Sequence, residues 1–356
     1  MDKYDFIVVG AGLFGIYASI DLYKKGYKVL LIDKEKLPYK KASIVNQARV
    51  HRGYHYPRSV TTAIASNDFS ERFIKEHSDF INNKFSHFYG IDRFGSLTNA
   101  NEFVRFADFL GLDYEETRIN APFSNQRLEA LFKVQEYSFD PFLFREYYLN
   151  ILNKTKIETR YATFIKSAEK GENTWKLKLI NFDKDEIFVE CANLINSTYS
   201  SINEINQIFK FKKIEVVTQL SEILFINCEE LISKALTVMD GPYISIMPYG
   251  FSGLHSLTSV VYTHHNNFSD FEKENNALLT TKSNKEKMLK QLRNYFLNNF
   301  KIVNHGSLFT FKTKLKSSHI NDSRPTNIYK LSDSPGYYQL FSGKISSIYE
   351  FENLWK

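Results

Sequence analysis

Apolar positions fall into three kinds of pattern along this chain, and each predicts a different element. Tyr4–Val9 (YDFIVV) and Lys28–Ile32 (KVLLI) are short, nearly unbroken apolar runs rich in branched residues, as strands buried on both faces of a parallel sheet should be. Between them, IYASIDLYKKG reads as a helix that ends at Gly26. Strand, helix and strand in this order predict a βαβ unit. Further along, the period becomes two. Lys156–Ser167, Thr174–Ile180 and Glu186–Ile195 alternate as strands do, and Glu215–His265 is strand-rich and punctuated by turns. Lys287–Phe300 returns to helical spacing through Met288, Leu289, Leu292, Tyr295 and Phe296, which predicts an amphipathic helix packed on the core. Near the C-terminus, Phe341–Lys344 (FSGK) reads as strand end, tight turn and helix start.

Length and charge narrow the class. A chain of 356 residues is long enough for two domains. Its net charge of +6 fits an anionic ligand, yet no Lys/Arg run forms a nucleic-acid footprint. Cys191 and Cys228 lie far apart, with neither metal-ligand spacing nor a disulfide framework, so no metal is expected and a reducing compartment fits. The longest apolar run, FIVVGAGLFGI, is too short to span a bilayer, and no secretory signal is visible. A soluble cytoplasmic protein without a transmembrane segment is expected.

The chemistry begins at the turn of the βαβ unit. GAGLFG places glycines at positions 10, 12 and 15, and Asp33 closes the second strand 23 positions after Gly10. Gly10 permits the tight turn, Gly12 lets backbone approach a pyrophosphate, and Gly15 lets helix and strand pack closely. The helix N-terminus, at Leu13 and Phe14, presents N–H groups to phosphate, and Asp33, with Lys34 beside it, stands where a ribose is held. This context predicts dinucleotide binding. The following loop, VNQARVHRGYHYPRS (Val45–Ser59), is dense in polar and aromatic groups and has no regular period.

An N-terminal fingerprint followed by such a loop resembles the FAD enzymes of the glycine/D-amino-acid oxidase superfamily. The piece NQARVHRGYHY is similar to a segment of flavin-dependent glycerol-3-phosphate dehydrogenases, with His51, Gly53 and Tyr56 matching and His55 standing where that family has a substrate-facing arginine. The resemblance implies an α/β Rossmann-type FAD-binding domain plus an α+β substrate domain with a large antiparallel sheet. It implies FAD-binding segments at 1–80, 151–212 and 322–356, and substrate-domain segments at 81–150 and 213–321. Ser43, Asn46, Gln47, Ala48 and Arg49 would line phosphate and ribityl, with Arg58 as a second candidate for phosphate charge. Thr163, and Thr198 in NSTY, would lie beside the cofactor. The N–H groups of Gly343, Lys344 and Ile345 would hold the flavin's pyrimidine carbonyl. His51, His55, Tyr262 and Arg324 are the catalytic candidates, Arg324 because an Arg-Pro late in the chain faces the substrate anion in that superfamily.

The implied activity is hydride transfer to flavin from a CH–OH or CH–NH bond of a small polar substrate, anionic or sugar-linked. No second GxGxxG for a pyridine nucleotide is present, so the substrate itself would donate the electrons. The acceptor (O2, a quinone or a carrier protein) is left open. Two other readings remain. One is a non-redox isomerase resembling UDP-galactopyranose mutase, which also begins with a similar glycine motif. The other is a binding protein that keeps FAD without turnover.

Overall fold

A computed structural model of the chain describes residues 1–268, 280–297, 300–316 and 326–355. The N-terminal unit forms as its pattern predicts. Strand β1 (Asp2–Val9), helix α1 (Leu13–Lys24) and strand β2 (Val29–Ile32) follow in order, and β1 and β2 pair in parallel from Phe6↔Val29 to Val9↔Ile32. All four β2 side chains are buried, which accounts for its unbroken apolar sequence.

Six further strands complete this sheet's parallel core and edges. Glu186–Asn196 runs parallel to β1 on its other side, Gly336–Phe341 runs parallel to Glu186–Asn196, and Glu158–Arg160 runs parallel to β2. The hairpin Thr163–Lys170/Trp175–Asn181 and the strand Asn327–Ser332 add antiparallel partners, giving eight strands among the described residues. The expected single strand over Lys156–Ser167 is thus two strands. They part at Tyr161 and Ala162, where Ala162 takes a φ of +50°.

Because the central strands are parallel, their carboxyl ends share one edge. That edge receives the Gly10–Gly15 turn, Ser197–Tyr199 and Ser342–Ile345. In open α/β sheets this is where ligands bind.

A second sheet has nine strands among the described residues. It is mixed rather than purely antiparallel, since Ser86–Asp92 runs parallel to Lys234–Met239 while the remaining pairs are antiparallel. Its long strands Val216–Asn227 and Val303–Leu315 pair along most of their length. A small third sheet joins Arg49–Val50, Tyr137–Phe139 and Ile81–Asn82.

Helix Pro141–Asn153 starts at an Asp140 cap whose carboxylate accepts from Phe142 N and Leu143 N, both at 3.0 Å. Phe144, Tyr148 and Leu152 on its buried face share a core with Ile16 and Ile20 of α1. The domain boundary expected between 150 and 151 therefore falls inside a helix that packs on the first sheet's side.

Two helix readings need correction. The helix expected over 287–300 spans Lys285–Arg293, and Phe296 instead bridges Phe123. The C-terminal helix, Ile345–Trp355, is a 3-10 helix.

Candidate active site

The glycine turn is set by contacts too close for side chains. Gly10 has a φ of +104°, and its N–H donates to Ile32 O at 2.8 Å. A Cβ on Gly15 would lie 1.8 Å from Gly10 O and 2.6 Å from Ser197 Oγ. Ser197 closes the turn from the neighbouring strand, its hydroxyl lying 2.8 Å from Val9 O and 3.0 Å from Gly10 O. Ser43 Oγ accepts from Leu13 N at 3.0 Å, and a Cβ on Gly12 would come within 3.2 Å of that oxygen. The first N–H groups of α1 have no acceptor within the helix, and Gly12, Leu13 and Phe14 line a cavity of about 320 Å³.

Asp33 sits behind this turn. Its carboxylate accepts from Ala11 N at 2.5 Å and Glu35 N at 2.8 Å. Burial raises its pKa, and those two N–H groups work against the rise. Thr163 N donates to Asp33 O at 2.9 Å. Lys34 reaches sideways to Ser201 and Glu204, at 2.9 and 3.2 Å. The Thr198 hydroxyl donates to Asn196 Oδ1 at 2.7 Å. Gly10, Gly15, Asp33, Lys34, Ala48, Thr163 and Thr198 support the cavity's surroundings without lining it.

The loop after β2 forms the cavity floor. Ser43, Asn46, Gln47, Arg49, His51, His55 and Tyr56 line it. Asn46 ties the loop to itself by donating to Ala42 O and Ser43 O and accepting from Ala48 N at 2.6 Å, which holds Ala48 at a φ of +54°. Gln47 donates to Ser245 O at 3.1 Å and so pins the loop to the second sheet. Arg49 is 5% exposed and does not extend toward the phosphate turn. Its guanidinium reaches Thr237, Ser245, Tyr89 and Met247, and lies 3.6 Å from Glu136. Arg58 pairs with Asp240 at the surface.

The far wall comes from the second sheet and the C-terminal turn. Thr258, Ser259, Val260, Thr263, His264 and Lys312 line it, as do Ser342, Gly343, Lys344 and Ile345. Lys344 Nζ lies 4.1 Å from the centre of the Tyr56 ring. Tyr262, expected at the reaction centre, packs against the core beside helix Lys285–Arg293 and is not among the lining residues. The turn that carries it directs Ser259, Val260 and Thr263 to the cavity instead. Arg324 lies outside the described residues. Tyr199, Ser197, His264 and Lys312 were not foreseen as lining residues. Ser197 and Tyr199 flank Thr198, the residue of NSTY expected beside the cofactor, while Thr198 itself does not line the cavity.

Electrostatics separate the groups around the floor. No Asp or Glu is among the described residues that line the cavity, while Arg49, Lys312 and Lys344 are. Burial, then the Arg49 charge, holds the Lys344 amine well below the lysine range. Burial also pushes His55 well below its ordinary value, helped by Arg49, His51 and Lys344 and opposed by Glu136. His87, fully buried with Nε2 2.9 Å from Thr237 Oγ1, is lowered to about 3 by burial and then by Arg49. A histidine whose folded pKa is depressed contributes stability above its unfolded pKa, about 6.5, and that contribution fades as pH falls toward 3. Thermal melts should therefore show stability falling from pH 6.5 downward, with a shallower fall in His87→Gln. Identical slopes in the two proteins would contradict this assignment.

A glycine turn that excludes side chains at the carboxyl edge of parallel strands, with an acid behind it and a cation-lined cavity beside it, is the arrangement of a dinucleotide-binding enzyme. The site fits FAD: the turn leaves room for a pyrophosphate and none for a Cβ at Gly15, and the cavity runs on from the turn to the second sheet.

A sequence model of the FAD dependent oxidoreductase (DAO) family matches residues 5–307, and the chain belongs to that family. It is therefore an FAD-dependent oxidoreductase. The curated protein "FAD-dependent monooxygenase FPY4" of Fusarium mangiferae is 22% identical over 354 residues, covering 96% of this chain and 87% of that protein. Among solved structures, NikD, "an unusual amino acid oxidase essential for nikkomycin biosynthesis", matches with a TM-score of 0.77 at 10% identity, over 99% of this chain and 93% of its own. An L-alpha-glycerophosphate oxidase from Mycoplasma pneumoniae with FAD bound matches with a TM-score of 0.76 at 13% identity, over 99% and 94%. At those identities the structures establish a shared fold. Membership of an oxidoreductase family leaves the mutase-like reading without support. No helix among the described residues is long and apolar enough to cross a membrane.

Proposed function

We propose that this chain oxidises a CH–OH or CH–NH bond of a small anionic substrate. The cavity carries the reading. Its lining joins the first residues of α1 at the glycine turn to His51, His55, Arg49, Lys312 and Lys344, with no carboxylate among its described lining residues.

Such a wall favours a carboxylate or phosphate. Lys344 and Lys312 hold the substrate's anion, and the hydroxyls of Ser259 and Thr263 orient its polar groups. A cavity histidine accepts the proton that leaves the substrate oxygen or nitrogen as the C=O or C=N bond forms. Bound FAD supplies the acceptor for the hydride that leaves carbon. The sugar-linked variant has no feature of its own in this wall. A reducing compartment suits the two free, buried thiols, Cys191 and Cys228.

Titration of the FAD-loaded protein with acetate, glycolate and phosphate, beside uncharged acetamide, tests the anion preference. Saturable changes in flavin absorbance from the anions alone are expected. An equal response to acetamide, or no response to any anion, would overturn the reading.

A further inference from the structure

We propose that Glu136 is the positioning residue that makes His51, and not its neighbour His55, the proton acceptor of the cavity. This rests on the reading that a cavity histidine takes the substrate proton.

The two histidines are close, with ring centres 5.9 Å apart, and both line the cavity. Their chemistry is alike and their surroundings are not. Strand pairing places a carboxylate beside one of them. Arg49 pairs with Ser138 and Val50 with Tyr137 in an antiparallel register, and continuing that register by one residue sets His51 across from Glu136. Glu136 is 1% exposed, and its Oε1 lies 3.6 Å from His51 Nδ1. That distance is electrostatic contact rather than a hydrogen bond, so Glu136 acts on His51 through charge.

The carboxylate itself is firmly held. It accepts from the Tyr89 hydroxyl at 2.7 Å and from Arg52 N at 3.1 Å. Among the described groups around it and around His51 are Arg49, with Nη1 3.6 Å from Glu136, and His87, with Nδ1 3.7 Å from Glu136. Tyr56 packs on His51 at 5.7 Å between ring centres. Two of these would set the sign at His51 differently. Arg49 disfavours a proton there, and Glu136 both offsets Arg49 and favours the proton directly. His87 is buried away from solvent and hydrogen-bonded to Thr237, so it does not compete.

His55 has the opposite setting. Arg49, His51 and Lys344 all disfavour a proton on it, and the opposing anion of Glu136 counts for less than any of them. A proton leaving the substrate is then better received on His51. With Nδ1 turned to Glu136, it enters at Nε2. The substrate's O–H or N–H bond breaks, an Nε2–H bond forms, and the electron pair released stays with the new C=O or C=N bond as hydride leaves carbon.

Histidine labelled with carbon-13 at Cε1 in the full, FAD-loaded chain allows both residues to be titrated by NMR, with His51→Gln and His55→Gln assigning the signals. His51 is expected to titrate at least one unit above His55. Glu136→Gln should lower His51 by one unit or more, tenfold in proton affinity, and leave His55 the less changed of the two. His51 unmoved by Glu136→Gln, or His55 titrating above His51, would overturn the proposal. Glu136→Gln leaves the buried Arg49 charge without its counter-charge and could fail to fold. The comparison is then made between Arg49→Met and Arg49→Met/Glu136→Gln, in which the second must again titrate lower at His51. No substrate enters these titrations, so this proposal and the substrate reading succeed or fail separately.

Discussion

Gly15→Ala should cost the protein its FAD and much of its stability. The added Cβ would sit 1.8 Å from a backbone oxygen of Gly10 and 2.6 Å from Ser197 Oγ, so relief needs movement of β1 against α1. Overpacking of this kind costs about 1–3 kcal/mol and occasionally more, and a backbone obstacle puts this site at the upper end. A penalty of about 3 kcal/mol carried by the bound conformation corresponds to roughly a hundredfold loss of FAD affinity. Flavin absorbance per chain after desalting, together with a thermal melt, reads both effects. Gly26→Ala is the control. Gly26 also has a positive φ, +91°, yet nothing lies within 4 Å of its Cβ position. It should lose about 1–2 kcal/mol of stability and keep its flavin. If Gly15→Ala retains flavin as Gly26→Ala does, the close packing of the turn is not what holds the phosphate site.

Lys344→Met should weaken anion binding by about 10- to 100-fold, the range for losing a hydrogen bond to a charged group. The amine lies over the Tyr56 ring, in a wall with no carboxylate among its described lining residues, and burial with Arg49 nearby lowers its pKa well below the lysine range. An anion entering the cavity favours the protonated amine, so binding takes up a proton. Affinity for acetate should then fall as pH rises through the depressed pKa of Lys344, and that slope should vanish in Lys344→Met. Isothermal titration in two buffers of different ionisation enthalpy measures the proton uptake. A slope unchanged by the substitution would assign the anion to Lys312 and Arg49 instead.

These residues also show what a sequence discloses and what it withholds. The βαβ unit was legible because its signals are local: unbroken apolar runs, glycines at fixed offsets, an acid at the strand end. Ser197 was within reach for the same reason, since it follows a readable strand. Glu136 was not legible. It carries no motif, and it meets Arg49 and His51 only through pairing of two short strands nearly ninety positions apart in the chain. Lys312 and His264 reach the cavity from strands whose register no local pattern sets.

The loop sequence points Arg49 toward phosphate, but a buried glutamate and two hydroxyls on the other sheet hold its guanidinium. Tyr262 failed for a simpler reason. It falls in a turn rather than on a strand, so alternation along the chain says nothing about where it points. The helix over 287–300 was read too long because Tyr295 and Phe296 continue its apolar spacing while packing against Phe123 and the second core.

The most direct test of the central claim is anaerobic mixing of the FAD-loaded protein with small hydroxy and amino acids, glycerol phosphate and their uncharged counterparts, followed at the flavin's visible absorption. Bleaching by at least one anionic CH–OH or CH–NH donor, with its neutral counterpart inert, is the expected result. A flavin that stays oxidised with every anionic donor, yet is bleached by a neutral one, would contradict it.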